Sequence, residues 1–155
     1  MAPLSSTTAD RLRGVGLRVT APRVAVLEVL AENPHATAET VAGLVRGRLD
    51  SVSTQTVYNV LAACTDTGLV RRIVPADSPA LFETRTGDNH HHLVCRECGR
   101  TVDVDCVVGA GPCLTPHDAG GFAVDEAEVV FWGLCPGCRD GGATATTTHH
   151  EEERQ

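Results

Sequence analysis

Two pairs of cysteines, each with two residues between its members, carry the strongest chemical signal in the sequence. They are Cys95 with Cys98 and Cys135 with Cys138. Two intervening residues let both sulfurs of a pair reach one ion from a tight turn, and two such turns complete a tetrahedral set of four thiolates. The spacing therefore predicts a structural zinc ion that holds a small domain together.

A run of three histidines ends three residues before the first cysteine pair. On a strand, alternate residues share a face, so His90 and His92 are expected to point together and His91 away from them. Carboxylates of Glu83 and Asp103, both in or near predicted strands, can supply oxygen ligands. A mixed nitrogen and oxygen set suits Fe(II), Mn(II) or Zn(II), which predicts a second metal site. The alternative is that the run is a surface feature with no ligand role.

Three further cysteines lie outside both pairs. Cys106 and Cys113 flank a glycine-rich segment and are either a redox couple or inert small side chains. The sequence favours inert or weakly reactive thiols, because no basic neighbour is evident to lower a thiol pKa. Cys64 is interpreted as a buried residue of a helix.

The elements of the first half follow from caps and apolar periodicity. A short helix is predicted over residues 10–16. A second begins at the cap Thr20 with Pro22 in its first turn, and a third begins at Thr37. The inward residues of the third are expected to be Val41, Leu44 and Val45. A fourth helix, capped by residues 50–53, runs to about Thr67, and strands are predicted over residues 69–74 and 80–83. This order outlines a winged helix-turn-helix.

The fourth helix has an apolar stripe at Val57, Val60, Leu61 and Cys64. Thr54, Gln55 and Tyr58 fall away from that stripe and are predicted to meet base edges in a major groove of DNA. Arg18 and Arg23 are predicted to meet phosphates or a narrow minor groove. The same residue types are also typical of a solvated helix face with ordinary surface arginines.

The second half has a different pattern. Residues 85–89 are polar and predict a hinge, and strands are expected over residues 92–95, 101–105 and 122–132. Any helix within residues 109–121 must be short, because glycine and proline are frequent there. The predicted domains are a winged helix (1–84), the hinge (85–89), a metal-binding dimerisation domain (90–139) and a disordered tail (140–155). The fold class is α+β.

Charge and composition limit the protein classes. The net charge is −7, with eight arginines and seven acids in residues 1–80 but five arginines and thirteen acids in residues 81–155. The acidic second half is excluded as a nucleic-acid-binding surface. The first half carries few basic residues in excess of its acids, which counts against DNA binding. Neither an apolar run of membrane length nor a secretory signal is found. The odd number of cysteines, seven, favours reduced thiols and a cytoplasmic protein without a membrane role.

Four segments together resemble the ferric uptake regulator (Fur) family. They are residues 17–23 (LRVTAPR), 56–58 (TVY), 90–99 (HHHLVCRECG) and 132–138 (WGLCPGC). The resemblance covers roughly residues 9–139. The two cysteine pairs and residues 125–135 are most similar to the FurA/CatR branch, whose members repress an adjacent catalase-peroxidase gene and their own.

The resemblance implies a homodimeric, metal-dependent repressor that binds double-stranded operator DNA with an inverted repeat. It assigns the structural zinc to the four paired cysteines. It assigns a regulatory Fe(II) or Mn(II) to His35, Glu83, His90 and His92, with Asp103 as a fifth ligand. His35 is added only by the resemblance. An ion bridging the two domains would fix their angle and thereby the spacing of two recognition helices.

The sequence departs from the family pattern at several positions. Asn89, Ala110 and Ala127 replace ligands of the family's second regulatory site, which predicts that this site is absent and leaves His91 without partners. Asn59 stands where an arginine usually follows the recognition tyrosine, which implies a weaker phosphate contact or a different operator.

Three functions remain open from the sequence. The first is a repressor released from DNA when peroxide oxidises its metal ligands or the metal is lost, and the second is an iron-level sensor without a redox role. The third is a thiol-disulfide oxidoreductase, suggested by the WGLCPGC segment. The second cysteine pair and the missing βαβ pattern argue against this enzyme.

Overall fold

The structure, a computed structural model, describes residues 6–109 and 111–141, and it divides into two compact units between Asp88 and Asn89. This boundary lies within the segment predicted as a hinge. The domain limits and the hinge itself stay predictions, and the predicted tail falls outside the described residues after Gly141. Among the described helices, none is long and apolar enough to cross a membrane.

Four helices build the first unit: α1 (Thr8–Gly14), α2 (Ala21–Glu32), α3 (Ala38–Arg48) and α4 (Thr54–Asp66). Each begins after a hydroxyl cap, and the caps are Thr7, Thr20, Thr37 and Ser53. The helix predicted over residues 10–16 begins earlier because Thr7 and Asp10 form a reciprocal capping box. The predicted caps Thr20 and Thr37 are confirmed.

The core of this unit comes from one apolar face of each helix. Leu12, Val26, Leu30, Val45 and Leu61 are among its buried side chains. The prediction that Leu44 points inward is wrong, since 40% of this residue is exposed. At 100° per residue the buried face of α3 is centred near Val45, and Leu44 lies roughly 100° away from that centre.

A small antiparallel sheet completes the first unit. Its strands are β1 (Ala36–Thr37), β2 (Arg71–Ile73) and β3 (Leu81–Glu83), in the order β1-β3-β2. The hairpin β2–β3 is the wing that the sequence predicts. The two-residue β1 was not predicted because so short a strand has no periodicity of its own. It pairs Ala36 with Phe82, which places the end of α2 beside the end of β3.

A second three-stranded sheet organises the other unit. Strand β4 (His90–Cys95) lies between β5 (Thr101–Asp105), to which it is antiparallel, and β6 (Val130–Gly133), to which it is parallel. A short helix, α5 (Pro136–Gly141), follows. Within the described part of the loop after β5, residues 111–121 form no helix.

The strand predicted over residues 122–132 is wrong for its first part. Only Val130 onward pairs with β4, and Phe122 is 80% exposed. In the register that joins His92 to Val130, the residues opposite 122–127 would belong to the polar segment before β4, which is not a strand. An apolar run without a pairing partner does not form a ladder.

Candidate metal centres and nucleic-acid surface

The four paired cysteines meet at one end of the second sheet. Cys95 ends β4 and Cys98 lies in the turn after it, while Cys135 directly precedes α5 and Cys138 lies in its first turn. Their Sγ atoms all lie within 4.8 Å of one another, and those of Cys98 and Cys135 are 3.8 Å apart. Two thiolates bound tetrahedrally at about 2.3 Å from one zinc ion are about 3.8 Å apart. The cluster therefore fits a structural zinc site.

Electrostatics around these sulfurs differ strongly. Backbone N–H groups of Cys98 and Cys135 donate to the sulfur of Cys95 and lower the pKa of its thiol to about 6. Hydrogen bonds to the sulfurs of Cys135 and Cys98 raise the pKa of Cys138 to about 12. The thiolate form is thus favoured at Cys95 and disfavoured at Cys138, so binding of a cation by all four sulfurs requires the Cys138 proton to leave.

In the first unit, His35 and Glu83 form a buried pair. The Nε2 atom of His35 lies 3.0 Å from Oε2 of Glu83, and their side chains are 8% and 1% exposed. The N–H of His35 donates to the carbonyl of Phe82, and His35 adopts a positive φ of 64° at the turn before β1. The β1–β3 pairing thereby brings a residue after α2 to the end of β3, which sequence spacing alone did not indicate.

In the second unit, His90 and His92 share one face of β4, as predicted. Their ring centroids are 5.0 Å apart. Asp103 is the register partner of His92 on β5, and its Oδ1 lies 3.8 Å from Nε2 of His90 and 3.6 Å from Nε2 of His92. Ligands of one small divalent ion at about 2.1 Å are roughly 3.4 Å apart, so the carboxylate of Asp103 lies at a suitable separation from each of the two imidazoles.

The predicted DNA-contacting residues lie together on the first unit. Tyr58, Gln55 and Asn59 are exposed on α4, and Nε2 of Gln55 donates to Oδ1 of Asn59 over 2.9 Å. A groove beside α4 is lined by Arg18, Thr20, Pro22, Arg23, Thr56, Asn59 and Val60. Nη1 of Arg23 donates to the carbonyl of Arg18 over 2.9 Å, which holds the guanidinium at the rim.

Thr54 is less exposed than predicted, and a second residue explains why. Nη1 of Arg46, on α3, donates to Oγ1 of Thr54 over 2.8 Å. Arg46 adds a cation beside the start of α4, where helix N–H groups also attract anions. Arg46 was not among the predicted DNA contacts, although a basic residue in the last turn of α3, on its exposed face, could have indicated it.

One expectation about the remaining polar residues of the second unit is wrong, and another stays a prediction. His91 has partners: its Nε2 atom lies 3.1 Å from Sγ of Cys113, and the backbone N–H of Val129 lies 3.4 Å from its Nδ1. The weak reactivity of Cys106 stays a prediction, although the backbone N–H of Gly109 donates to its sulfur and lowers its pKa. Basic neighbours in the sequence do not reveal such backbone donors. Ala110, one of the departures from the family pattern, is outside the described residues.

Comparison with known proteins identifies the family. The profile described as "Ferric uptake regulator family" matches residues 14–107. The chain is 59% identical over 130 residues to "Transcriptional regulator FurA" of Mycobacterium tuberculosis, with 84% of this chain and 88% of that protein covered. The chain belongs to the ferric uptake regulator family. Fur proteins are transcriptional regulators rather than enzymes, so the oxidoreductase alternative is rejected.

Two further similarities extend this result. The chain is 31% identical over 131 residues to the "Peroxide operon regulator" of Bacillus subtilis, covering 83% of this chain and 89% of that protein. A solved Fur structure from Pseudomonas aeruginosa with manganese aligns with a TM-score of 0.62 and 28% identity, over 84% of this chain and 99% of that one. The Fur-like α+β fold and the four-cysteine cluster expected from the sequence are confirmed.

Proposed function

We propose that the chain is a homodimeric repressor whose affinity for operator DNA depends on one Fe(II) or Mn(II) ion shared by its two units. His35 and Glu83 of the first unit and His90, His92 and Asp103 of the second are the proposed ligands. The observation that supports this most is that both units carry the same kinds of ligand. In each unit, buried imidazole side chains lie beside a carboxylate.

The proposed mechanism converts metal binding into DNA affinity. Imidazole nitrogens and carboxylate oxygens suit Fe(II) and Mn(II). An ion joining both sets would fix the angle between the units. In a dimer that angle sets the distance between two α4 helices, and successive major grooves lie roughly 34–36 Å apart. Differential binding of the ion to the DNA-competent arrangement is then a coupling free energy between the two ligands.

The DNA face we propose is the exposed edge of α4 with the groove beside it. Tyr58, Gln55 and Asn59 present an aromatic ring and two amides to base edges, with Thr54 at the helix start. Arg18 and Arg23 supply the phosphate contacts, and an inverted-repeat operator follows from a two-fold dimer. A Tyr58→Ala variant should bind operator about 5- to 150-fold more weakly, because one base contact contributes roughly 1–3 kcal/mol. The matched Tyr58→Phe variant separates the hydroxyl from the ring.

The central test measures operator binding by purified protein against each divalent metal, with the zinc cluster left filled. We expect Fe(II) or Mn(II) to tighten binding of the wild type, and His35→Ala to remove the tightening but not the basal binding. The exposed His117 is the matched control, so His117→Ala should keep the metal response. Equal binding with and without the second ion, at unchanged shape, would refute the proposal.

We further propose release by hydrogen peroxide, with a catalase-peroxidase gene and the regulator's own gene as targets. The relation to the Bacillus subtilis peroxide operon regulator supports this. Fe(II) held by His35, Glu83, His90 and His92 would supply the redox chemistry. Addition of one peroxide oxygen to an imidazole carbon, with water as the other product, would leave 2-oxo-histidine, which is a poorer ligand.

Mass spectrometry of iron-loaded protein after peroxide treatment tests this release. Added oxygen on His35, His90 or His92 together with lost operator binding supports the sensor. Intact histidines with retained binding would instead indicate the iron-level sensor, and Mn(II)-loaded protein is the control in which oxidation should be small.

A further inference from the structure

A cluster of one histidine and two cysteines lies in the second unit apart from both metal sets described above. It consists of His91 on β4, Cys106 directly after β5, and Cys113 in the loop that follows. Each side chain offers one ligand atom, and the three atoms lie within 4.8 Å of one another. We propose that this cluster is a third metal site, which takes a thiophilic divalent cation of the Zn(II) class and leaves one coordination position open.

The strand geometry separates this cluster from the proposed regulatory ligands. His90 and His92 point to one face of β4, and His91 lies between them in sequence and points to the opposite face. His91 is 5% exposed, so its ring is buried in the unit that carries both cysteines. A buried imidazole aimed at a thiol, with a second thiol close by, is a ligand set that apolar packing does not require.

The donor set suits zinc better than iron or manganese. Two thiolates and one imidazole form a soft to borderline site, and three protein ligands are the usual number where zinc keeps an exchangeable fourth position. The Nε2–Sγ distance of 3.1 Å between His91 and Cys113 is that of a hydrogen bond. Ligands bound tetrahedrally at about 2.1 Å and 2.3 Å are roughly 3.5 Å apart, so the two groups need to separate by only a few tenths of an ångström.

The tautomer of His91 determines which hydrogen bonds a bound cation would replace. With the N–H of Val129 directed at Nδ1, the ring proton lies on Nε2 and is donated to the sulfur of Cys113. For the ring to bind a cation through Nε2, that proton must leave Nε2 and Nδ1 must carry one instead. The cost is the hydrogen bond from Val129, which at 3.4 Å is long and weak.

Backbone donors prepare one of the thiols. The N–H groups of Gly109 and Val108 donate to the sulfur of Cys106 and favour its thiolate form, which is the form that binds metals. Cys106 and Cys113 are partly exposed, and Val107 beside them is fully exposed, so the cluster can be reached from solvent.

Cobalt spectroscopy on the full-length, reduced protein tests the proposal. The four-cysteine cluster is first filled with zinc, and Co(II) is then added in the presence of a phosphine reductant. The proposed regulatory ligands are only nitrogen and oxygen, so once a control variant excludes Cys64, a sulfur-to-cobalt charge-transfer band on this addition is assigned to the His91 cluster. We expect that band in the wild type and its loss in the Cys106→Ser/Cys113→Ser variant, which should also bind one Zn(II) per chain fewer.

Two control variants make the result specific. Asp103→Ala should keep the band, because Asp103, on β5, lies on the sheet face of His90 and His92, opposite to that of His91. Cys64→Ala removes a thiol from the first unit and should also keep the band. Retained zinc at the four-cysteine cluster shows that the serine variant is folded. A wild-type spectrum without the charge-transfer band would overturn the proposal. So would a Cys106–Cys113 disulfide on air exposure, if the reduced protein also binds no extra cation. No DNA measurement enters, so this test is independent of the proposed repressor function.

Discussion

At the scale of single residues, the cysteines show how environment gives one side chain several roles. Burial in the core of the first unit raises the pKa of Cys64 and leaves it an inert apolar residue. Backbone N–H donors lower the pKa of Cys95, while neighbouring sulfurs raise that of Cys138. The type of residue is the same in all three cases, and burial, backbone donors or neighbouring sulfurs decide the chemistry of each thiol.

Replacing one cluster cysteine should remove the zinc ion. In a Cys98→Ser variant we expect zinc per chain to fall by one ion and the second unit to melt at a lower temperature, because binding of a structural ion contributes directly to folding free energy. Elemental analysis and calorimetry measure the two effects. Cys64→Ala is the comparison, since it removes a thiol but should keep the zinc, and equal zinc content in Cys98→Ser would contradict the assignment.

The metal-free, reduced protein should show a characteristic pH dependence. The pKa of Cys95 is lowered to about 6 from 9.0. Its stabilising effect is therefore complete above pH 9 and is lost as the pH falls through 6, so stability rises from pH 7 to 8.5. The pKa of Cys138 is raised to about 12 from 9.0, so its stabilising effect is lost as the pH rises from 9 towards 12. Thermal unfolding of chelator-treated protein should be most resistant near pH 9, and Cys95→Ser should flatten the rise below it.

At the scale of elements, burial of one face of α4 leaves its opposite face exposed for binding. Val57, Val60, Leu61 and Cys64 bury one stripe of α4, so Tyr58 and Gln55 are directed to solvent where DNA can be met. The start of α4 is fixed by Ser53, whose hydroxyl accepts from the N–H of Thr56. The cap therefore determines where the proposed reading surface begins.

Removal of this cap should destabilise the first unit without changing its core. A Ser53→Ala variant should lose about 1 kcal/mol of unfolding free energy, because one N–H at the start of α4 loses its acceptor. Chemical denaturation measures the change. Ser51, exposed and two residues earlier, is the matched control, and a Ser51→Ala variant as unstable as Ser53→Ala would show that the effect does not arise from capping.

At the scale of the whole molecule, the proposed function is a thermodynamic coupling between two ligands. If an ion held by both units tightens operator binding by some factor, operator DNA must tighten binding of that ion by the same factor. Such couplings commonly amount to about 5- to 150-fold. The size of this coupling factor therefore depends on ligands from both units.

We expect operator DNA to lower the Kd of Mn(II) by the same factor by which Mn(II) lowers the Kd of the operator. Calorimetric titration of Mn(II) with and without operator, with zinc already bound, measures the first factor, and operator titration measures the second. Glu83→Gln should bring both factors close to one. Unequal factors in the wild type would mean that a further equilibrium, such as dimer dissociation, contributes to the measured affinities.

The sequence by itself determined the features that depend on local patterns of residues. Hydroxyl caps with apolar periodicity located the helices of the first unit, the spacing of the two cysteine pairs predicted the zinc cluster, and strand alternation placed His90 and His92 on one face. These features depend on residues close together in the chain, or on ligand chemistry so restrictive that few residue types satisfy it.

Only the tertiary structure decided which distant residues meet. The pairing of His35 with Glu83 depends on a two-residue strand, the contact of Arg46 with Thr54 on the packing of α3 against α4, and the cluster of His91 with two cysteines on a loop without periodicity. The extent of β6 likewise depended on where β4 begins. In each case the partner is supplied by chain folding over a long sequence separation, and nothing in the local pattern records it.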